Sequence, residues 1–559
     1  MNATTKTLLF LVLCFVTIAV PATRASWAPD GVALCTPANW QGYPAIVADG
    51  TGGGFVTWSN ERSGAVSIYA QRIGGDGSTL WGEEGAAVCT APYAQYNAEL
   101  AVDGVGGAII VWHDIRSLNL DIYAQRVDAA GEAKWAADGV AICTAAGDQT
   151  DPLIVSDDSG GAIIAWVDGR SGSLDIYAQR IDAAGVAQWA PGGVAVCVAP
   201  GAPRLWSLIP DGAGGAILAW HDPRTGTPHV YCQRLDATGA ALWAANGLAL
   251  SSLSWSQTYP VAASDGASGA IFTWQDSRNG NTDVYAQRVD ATGVAQWTAN
   301  GVALCALSGN QDVLSILSDG AAGAIVAWRD GRSLALTDIY AQKVHGSGVV
   351  AWQSNGVAVC TASGKQEDAR VISGSSDGAI VVWTDRRNLT NDIYAQRLNA
   401  SGASQWAVDG VALCAATGEQ TRPRLVPDDT GGAIVTWLDQ RNFDNAIYAQ
   451  RVGANGQIGG FIAGVPGPIA FALRCTPNPF NPRTTIKYDL PEAGHVRLSV
   501  FDVAGRLVRT LVDESMPQGS HEAVWDGRDS AGRELGSSSY LARLEFERKV
   551  ETIRMGLIR

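Results

Sequence analysis

The sequence is poor in charged residues, and basic ones are scarcest in its central part. Charged residues make up only 17% of the chain, and residues 26–467 carry 24 basic against 42 acidic side chains. Sixteen of these basic side chains recur at two fixed positions of an internal repeat. No basic stripe is left to follow a phosphate backbone, so the composition argues against nucleic acid as a partner.

Long apolar runs are missing after the N-terminus. The run at residues 8–20 follows Lys6 and precedes the segment 21–25, which reads PATRA. This layout is typical of a secretory signal peptide cleaved after Ala22 or Ala25, and the run is too short to favour a membrane span. We therefore expect a signal peptide at residues 1–25, no membrane span, and a secreted or outer-cell-surface location.

Familiar catalytic and metal-binding motifs are also missing. The six histidines show no zinc-ligand spacing, although His113 and His221 share one position two repeats apart. Residues 374–378 spell G-x-S-x-G but occupy a predicted hairpin, whereas the hydrolase motif needs a strand-to-helix turn. The sequence predicts no catalytic residue, no cofactor-binding residue, no metal ligand and no cofactor.

What the sequence does contain is a long internal repeat. Its core reads GAI-x-x-W-x-D-x-R, then a short loop, then D-I-Y-A-Q-R. The tyrosine of this element recurs eight times, at a spacing of 54 residues with a single 55. Its positions are Tyr69, Tyr123, Tyr177, Tyr231, Tyr285, Tyr340, Tyr394 and Tyr448. A period in this range indicates a propeller or another repeat array.

One period contains four candidate strands, at residues 153–156, 162–166, 175–182 and 188–197. The second is continuously apolar, as a strand covered on both faces requires. Four antiparallel strands joined by tight turns describe a propeller blade.

The two ends of the repeat array complement each other. Residues 27–35 read as a fourth strand with no first three before it, and the eighth repeat stops after its third strand at Val452. Pairing the two would close the ring and remove two exposed sheet edges. We predict an all-β chain with an eight-bladed β-propeller at residues 26–460.

The segment after each third strand has the pattern YAQR-x-D-A-x-G-x-x-x-W. It resembles the docking motif of quinoprotein-type propellers, here matched by Ala178, Asp182, Gly185 and Trp189. The resemblance implies that these residues tie neighbouring blades together. No adjacent cysteine pair or other counterpart of a quinone site is present, so dehydrogenase activity is not implied.

A different pattern begins after a predicted linker at residues 461–470. Residues 471–559 contain NPFNP, FDVAGR, WDGRDSAGR and the ending MGLIR, in that order, among alternating strands. This stretch resembles the C-terminal type IX secretion sorting domain, related to the immunoglobulin-like domain of the flagellar hook-capping protein. The resemblance implies a small Ig-like β-sandwich that the type IX secretion machinery recognises. A purely structural end module is the alternative.

Two sets of side chains recur in the blades and invite a functional interpretation. The W-x-D-x-R element supplies carboxylates and guanidiniums in nearly every blade, which could bind a charged ligand. Because a feature present in every blade usually serves the blade, we expect Asp–Arg pairs that fix the loop between strands two and three. Seven cysteines also share one register, about 15 Å apart if their strand is outermost. A disulfide needs Cα atoms within about 7 Å, so we expect buried free thiols.

The near-uniform blades favour a binding or adhesion protein whose ligand is a polysaccharide or a surface protein, with no catalysis. A polysaccharide-active lyase or glycosidase on the same scaffold is the alternative, because propellers host such enzymes. A structural display protein is a third possibility. An enzyme should show unmatched acidic or histidine residues from different blades. The outliers found in the sequence form no coherent set: Glu61, His113, His221, His229 and Arg386.

Overall fold

The computed structural model describes residues 27–557 except 36–39, 63, 158, 334–335, 375–377, 443–444, 460–471, 477–479, 481, 491–493, 504, 517–518 and 547–548. The predicted signal peptide at 1–25, the predicted linker at 461–470 and most of the G-x-S-x-G segment lie outside these residues. The chain forms two compact units that divide after residue 460.

The described part of the first unit consists of eight four-stranded antiparallel sheets, with no helix. The first four blades contain β2 (Gln41–Ala48), β3 (Gly54–Asn60), β4 (Ser67–Ile73), β5 (Ala86–Cys89), β6 (Gln95–Val102), β7 (Ala108–Asp114), β8 (Asp121–Val127), β9 (Val140–Cys143), β10 (Gln149–Ser156), β11 (Ala162–Asp168), β12 (Asp175–Ile181), β13 (Val194–Cys197), β14 (Arg204–Pro210), β15 (Ala216–Asp222), β16 (His229–Leu235) and β17 (Leu248–Ala249). The last four contain β18 (Gln257–Ser264), β19 (Ala270–Asp276), β20 (Asp283–Val289), β21 (Val302–Cys305), β22 (Gln311–Ser318), β23 (Ala324–Asp330), β24 (Asp338–Val344), β25 (Val357–Cys360), β26 (Gln366–Ser373), β27 (Ala379–Asp385), β28 (Asp392–Leu398), β29 (Val411–Cys414), β30 (Gln420–Pro427), β31 (Ala433–Asp439), β32 (Ala446–Val452) and, from the N-terminus, β1 (Val32–Ala33).

The sheets pack face to face around a ring. In most blades the second strand, such as β11, is buried along its whole length, because both of its faces meet a neighbouring blade. Among the described residues, eight apolar clusters each join two consecutive blades, and the eighth joins the last blade to the first. The first strands of consecutive blades contact one another all round, so they line the central channel.

The N-terminal strand closes the ring as predicted. β1 pairs antiparallel with β32, with Val32 opposite Ala449 and Ala33 opposite Tyr448. The Leu34 amide adds a hydrogen bond to the Ile447 carbonyl oxygen at 2.9 Å. The prediction of an all-β, eight-bladed propeller is confirmed.

The strand bounds differ from the sequence prediction at both edges of a blade. The first strand of blade 3 begins at Gln149 rather than residue 153, because a β-bulge separates its two halves. There, two residues of β10 lie opposite one residue of β11, and Asp151 takes a positive φ of 52°. The fourth strand is shorter than predicted, since only Val194–Cys197 pairs with β12.

The docking tryptophan connects each blade to the next. The Trp189 indole Nε1 donates to the Ala237 carbonyl oxygen of blade 4 at 3.1 Å. Its ring packs so closely under Gly239 (φ 85°) that a Cβ there would lie 2.8 Å from it. Trp27 makes the equivalent contact from the N-terminal segment to Gly75 of blade 1.

The second unit is a two-sheet β-sandwich in the residues described. A three-stranded sheet has the order β33-β34-β37, and a four-stranded sheet has the order β36-β35-β38-β39. A shared core that includes Trp525, Tyr488 and Phe546 fills the space between them. The strands are β33 (Ala472–Thr476), β34 (Thr484–Leu490), β35 (Gly494–Asp502), β36 (Leu507–Met516), β37 (Gly519–Trp525), β38 (Ser538–Phe546) and β39 (Lys549–Leu557).

Candidate functional site

The W-x-D-x-R element forms a buried polar cluster between blades. In blade 3 the Asp168 carboxylate accepts hydrogen bonds from Trp166 Nε1 at 2.7 Å and from Arg170 Nη2 at 2.6 Å. The same guanidinium lies over the Tyr177 ring at 3.9 Å and donates to the Cys143 sulfur of the preceding blade at 3.0 Å. The carboxylate is fully buried, and its partners Trp166 and Arg170 belong to the same blade.

The pairing recurs from blade 2 to blade 8 with nitrogen–oxygen distances of 2.5–2.6 Å. The pairs are Asp114–Arg116, Asp168–Arg170, Asp222–Arg224, Asp276–Arg278, Asp330–Arg332, Asp385–Arg387 and Asp439–Arg441. In blade 1 the position holds Asn60, and Arg62 pairs instead with Glu84 at 3.1 Å.

In seven blades the third-strand basic residue pairs with an aspartate of the first hairpin, whereas blade 7 carries Gly374 at the aspartate position. Arg180, for example, meets Asp157 at 2.9 Å, and Lys343 lies 3.6 Å from Asp319. These bonds fix the Asp-rich turn between the first two strands.

The cysteines are free thiols throughout the described residues, and all are buried except the half-buried Cys475. Burial raises the pKa of the Cys89 thiol to about 12. The cysteines of the fourth strands do not lie in a purely apolar environment, however. Cys89 Sγ is 3.9 Å from the Asp114 carboxylate and 3.2 Å from Arg116 Nη2, so it belongs to the polar cluster of the next blade.

The blades differ from one another at the channel end that carries these loops. The side chains of the first-strand bulges and of the residue before the repeat Asp vary around the ring, although blades 2 and 4 share a histidine, His113 and His221. A cavity of about 540 Å³ opens there across blades 2 to 5. Its wall includes Asn97 and Glu99 from blade 2, Asp151 from blade 3, Arg204 and Trp206 from blade 4, and His221 and Tyr259 from blades 4 and 5.

Three aromatic side chains form the apolar side of this cavity, here called the aromatic platform: Trp206, His221 and Tyr259. The Trp206 and Tyr259 ring centroids are 4.5 Å apart, and His221 lies within 5.8 Å of both. Trp206 Nε1 donates to His221 Nδ1 at 3.0 Å, and the Tyr259 amide approaches the same nitrogen at 3.3 Å. Trp206 and Tyr259 remain 41% and 44% exposed, which is unusual for large aromatic side chains so firmly held.

The platform histidine is held in its neutral form. Burial, aided by the nearby charge of Arg204, lowers the His221 pKa to about 4, although Asp222 acts in the opposite direction. The hydrogen bond from Trp206 requires Nδ1 to be an acceptor, which agrees with a neutral imidazole.

Only one of the sequence outliers belongs to this cavity. His221 lies in its wall, while His113 is buried behind it within the electrostatic reach of Asp151. His229 is buried opposite Asp222, and Glu61 and Arg386 are exposed outside the cavity wall. The sequence interpretation missed Trp206, Tyr259, Glu99 and Asp151. The available signal was the divergence of the eight first strands when the repeats are aligned with one another.

The described residues contain no group of three or more histidine, cysteine, aspartate or glutamate side chains placed to hold a metal ion. None of the described segments forms a helix long and apolar enough to cross a membrane.

Comparison with known proteins identifies part of the second unit. Residues 481–548 match the family model of the FlgD Ig-like domain. No curated protein matches the chain. The match supports the Ig-like part of the predicted sorting domain, while neither the type IX assignment nor the quinoprotein resemblance of the blades is shown by these comparisons.

Among solved structures, the chain is similar to the polysaccharide lyase Uly1, at 8% identity and a TM-score of 0.39 over 78% of this chain and 94% of that one. It is also similar to an α-L-arabinanase of Penicillium chrysogenum, at 12% identity and a TM-score of 0.33 over 77% and 96%. A puromycin-hydrolyzing peptidase of Mycobacterium tuberculosis gives 12% identity and a TM-score of 0.37. The match covers 74% of this chain but only 62% of that peptidase. At these scores the similarities carry no argument about activity.

Proposed function

We propose that the propeller is a binding protein whose ligand, a glycan, rests on the aromatic platform at the channel mouth. The observation that carries this proposal is the pair of exposed but immobilised aromatic rings, Trp206 and Tyr259, facing a cavity edged with polar groups. Flat rings bind the C–H faces of sugars, and a few fixed polar side chains orient the hydroxyl groups. The same wall supplies hydrogen-bond donors and acceptors from Arg204, Asp151 and Asn97.

A titration of the mature chain, residues 26–559, against soluble oligosaccharides tests this proposal. We expect Trp206→Ala to weaken binding at least tenfold, because the platform loses its central ring. Trp255→Ala is the matched control, since Trp255 is 56% exposed but is absent from the cavity wall. Equal affinity of the two variants, or loss in the control alone, would refute the platform as the binding surface.

A catalytic function is the second candidate, and one observation favours it. The cavity wall contains Glu99, whose pKa is raised by burial, and the neutral His221. A carboxyl group and an imidazole with shifted pKa values are the kind of pair that serves as general acid and base. Release of new reducing ends or unsaturated sugars in the same titration would replace binding by glycan cleavage as the function.

The second unit and the N-terminus concern delivery of the protein. We propose that residues 1–25 direct secretion and that residues 471–559 are a type IX sorting signal. The similarity of 481–548 to the FlgD Ig-like domain and the motif series through residue 559 support this. Removal of residues 471–559 should leave the protein in the periplasm, and normal surface delivery of the truncated chain would contradict the assignment.

A further inference from the structure

In every blade, one first-strand residue is the first to pair with the second strand after the bulge. This residue lies at the same height in all eight blades. Its residues pair with equivalent second-strand positions, as Glu99 does with Val111, Arg370 with Val382 and Arg424 with Thr436. Around the ring the eight residues are Ala45, Glu99, Leu153, Ser207, Val261, Ser315, Arg370 and Arg424. We call this set the channel ring.

Side chains of the channel ring extend along the channel wall towards the next blade. The Ser207 hydroxyl accepts a hydrogen bond from the Ala262 amide of blade 5 at 3.1 Å. The Ser315 hydroxyl does the same with the Val371 amide of blade 7, also at 3.1 Å. Charged residues at this position therefore lie inside the channel wall rather than on the outer surface.

The two arginines of the ring lack the acidic partners that the repeat arginines have. Arg370 forms no ion pair with any described residue, and its buried Nε has no hydrogen-bond acceptor. Among the residues that the structure describes, Arg424 donates from Nη1 only to the carbonyl oxygen of Pro423, at 3.2 Å. By contrast, Arg170 binds Asp168 at 2.6 Å. Two half-buried guanidiniums on adjacent blades are thus without a carboxylate partner among the described residues.

This arrangement is electrostatically unfavourable for the protein alone. Burial, aided by the charge of Arg424, lowers the Arg370 pKa to about 10, although Asp368 and Glu99 act in the opposite direction. Burial also raises the pKa of Glu99, which Arg424 and Arg370 oppose. Neither Asp368 nor Glu99, however, forms an ion pair with Arg370 among the described residues. Buried charges are normally retained with a partner, so the missing partner points to an anionic ligand.

The geometry points to the chemical class of that ligand. We infer that Arg370 and Arg424 bind a singly charged oxyanion carried by an acidic sugar, such as the carboxylate of a uronic acid. Guanidinium groups present paired donors that match the two oxygens of a carboxylate or a sulfate ester. The negative charges of Asp368 and Glu99 act on the same site, and this favours a monoanion over the dianion of a phosphate monoester.

The inference deepens the proposed function, because Glu99 belongs both to the cavity wall and to the channel ring. We expect a glycan on the platform to extend past Glu99 and place one acidic residue at the two arginines. The platform then recognises the faces of the sugars, while the ring selects for negative charge. The two contributions come from opposite blades and are separable by mutation.

Isothermal titration of the mature chain tests the inference with four probes. They are a galacturonate oligosaccharide, the corresponding neutral galactose oligosaccharide, a sulfated galactose oligosaccharide and inorganic sulfate. We expect the acidic oligosaccharides to bind at least tenfold more tightly than the neutral one. Arg370→Gln and Arg424→Gln should each abolish that preference and leave the affinity for the neutral oligosaccharide unchanged. Arg422→Gln, an exposed neighbour, is the matched control and should retain it.

The outcomes separate the two proposals. Equal binding of acidic and neutral oligosaccharides refutes the charge selection but not the platform. A preference that persists in both arginine variants also refutes it. Arginine-dependent binding of galacturonate that Trp206→Ala leaves intact supports the ring and overturns the platform. Inorganic sulfate that binds as tightly as the acidic sugars overturns the sugar as the carrier of the anion.

Without ligand, Arg370→Gln should melt at or above the wild-type temperature, because it removes an unpaired buried charge. A clear decrease would indicate that the protein itself neutralises Arg370.

Discussion

Replacement of Trp27 by alanine should open the ring at its closing blade. The Trp27 indole is 6% exposed, donates to the Gly75 carbonyl oxygen at 3.1 Å and packs beneath Gly77. Loss of a buried tryptophan costs about 3–5 kcal/mol from packing and the cavity left behind. Trp189→Ala is the matched control, because Trp189 is 8% exposed and makes the same bond within the continuous chain.

The two variants should lose similar amounts of local packing but differ in where the structure opens. After Trp27 is removed, the N-terminal segment keeps the two residue pairs of β1, the Leu34 hydrogen bond, its apolar side chains, and hydrogen bonds from Gln450 to the Ala28 carbonyl oxygen and from Arg441 and Ala415 to Asp30, but it loses its anchor on blade 1. Hydrogen exchange should therefore accelerate in Ala446–Val452 and in residues 27–35 of Trp27→Ala, because an unpaired sheet edge exposes its amides. In Trp189→Ala the exchange of Ala446–Val452 should stay slow. Slow exchange of these amides in Trp27→Ala would refute the closing role of the N-terminal segment.

Two further predictions concern the polar cluster and the platform histidine. Asp168→Ala should lower the free energy of unfolding by about 3–5 kcal/mol, because Arg170 and Trp166 lose a buried acceptor. Asp168→Asn should lower it less, since blade 1 naturally carries Asn60 at this position. Denaturant unfolding measures both, and equal costs would contradict the expectation that an uncharged acceptor partly replaces the carboxylate. Between pH 7 and 5 the unfolded chain protonates His221 and the native chain, with its pKa of about 4, does not. Wild type should thus lose roughly 1–2 kcal/mol relative to His221→Gln over this range, and a constant difference would contradict the neutral imidazole.

The repeated parts of the fold were predictable because the same residue pattern occurs in all eight repeats. The recurring Trp, Asp and Arg of one element identify the second strand and its loop, and the unpaired strand at residues 27–35 predicts the closure. The β-bulge of the first strand was not predictable in this way. Its residues, such as Asp151 and Arg422, differ between blades and adopt a positive φ that their side chains do not favour.

The candidate site was missed for a related reason. Sequence reasoning sought function among residues that recur or form known motifs, and the repeat arginines and aspartates proved to be bound to each other. The channel instead collects positions where one blade departs from its sisters, such as Trp206, Glu99 and Arg370. These residues are distant in the sequence, and only the ring places them around one channel. A binding site formed by residues that differ between repeats cannot be recognised when each repeat is considered alone.

A crystal structure of the mature protein with a bound galacturonate oligosaccharide tests the central claim most directly. We predict sugar rings stacked on Trp206 and Tyr259 and a carboxylate within hydrogen-bonding distance of Arg370 or Arg424. An oligosaccharide bound on the outer rim of the blades, or on the second unit with the channel mouth unoccupied, would contradict the account.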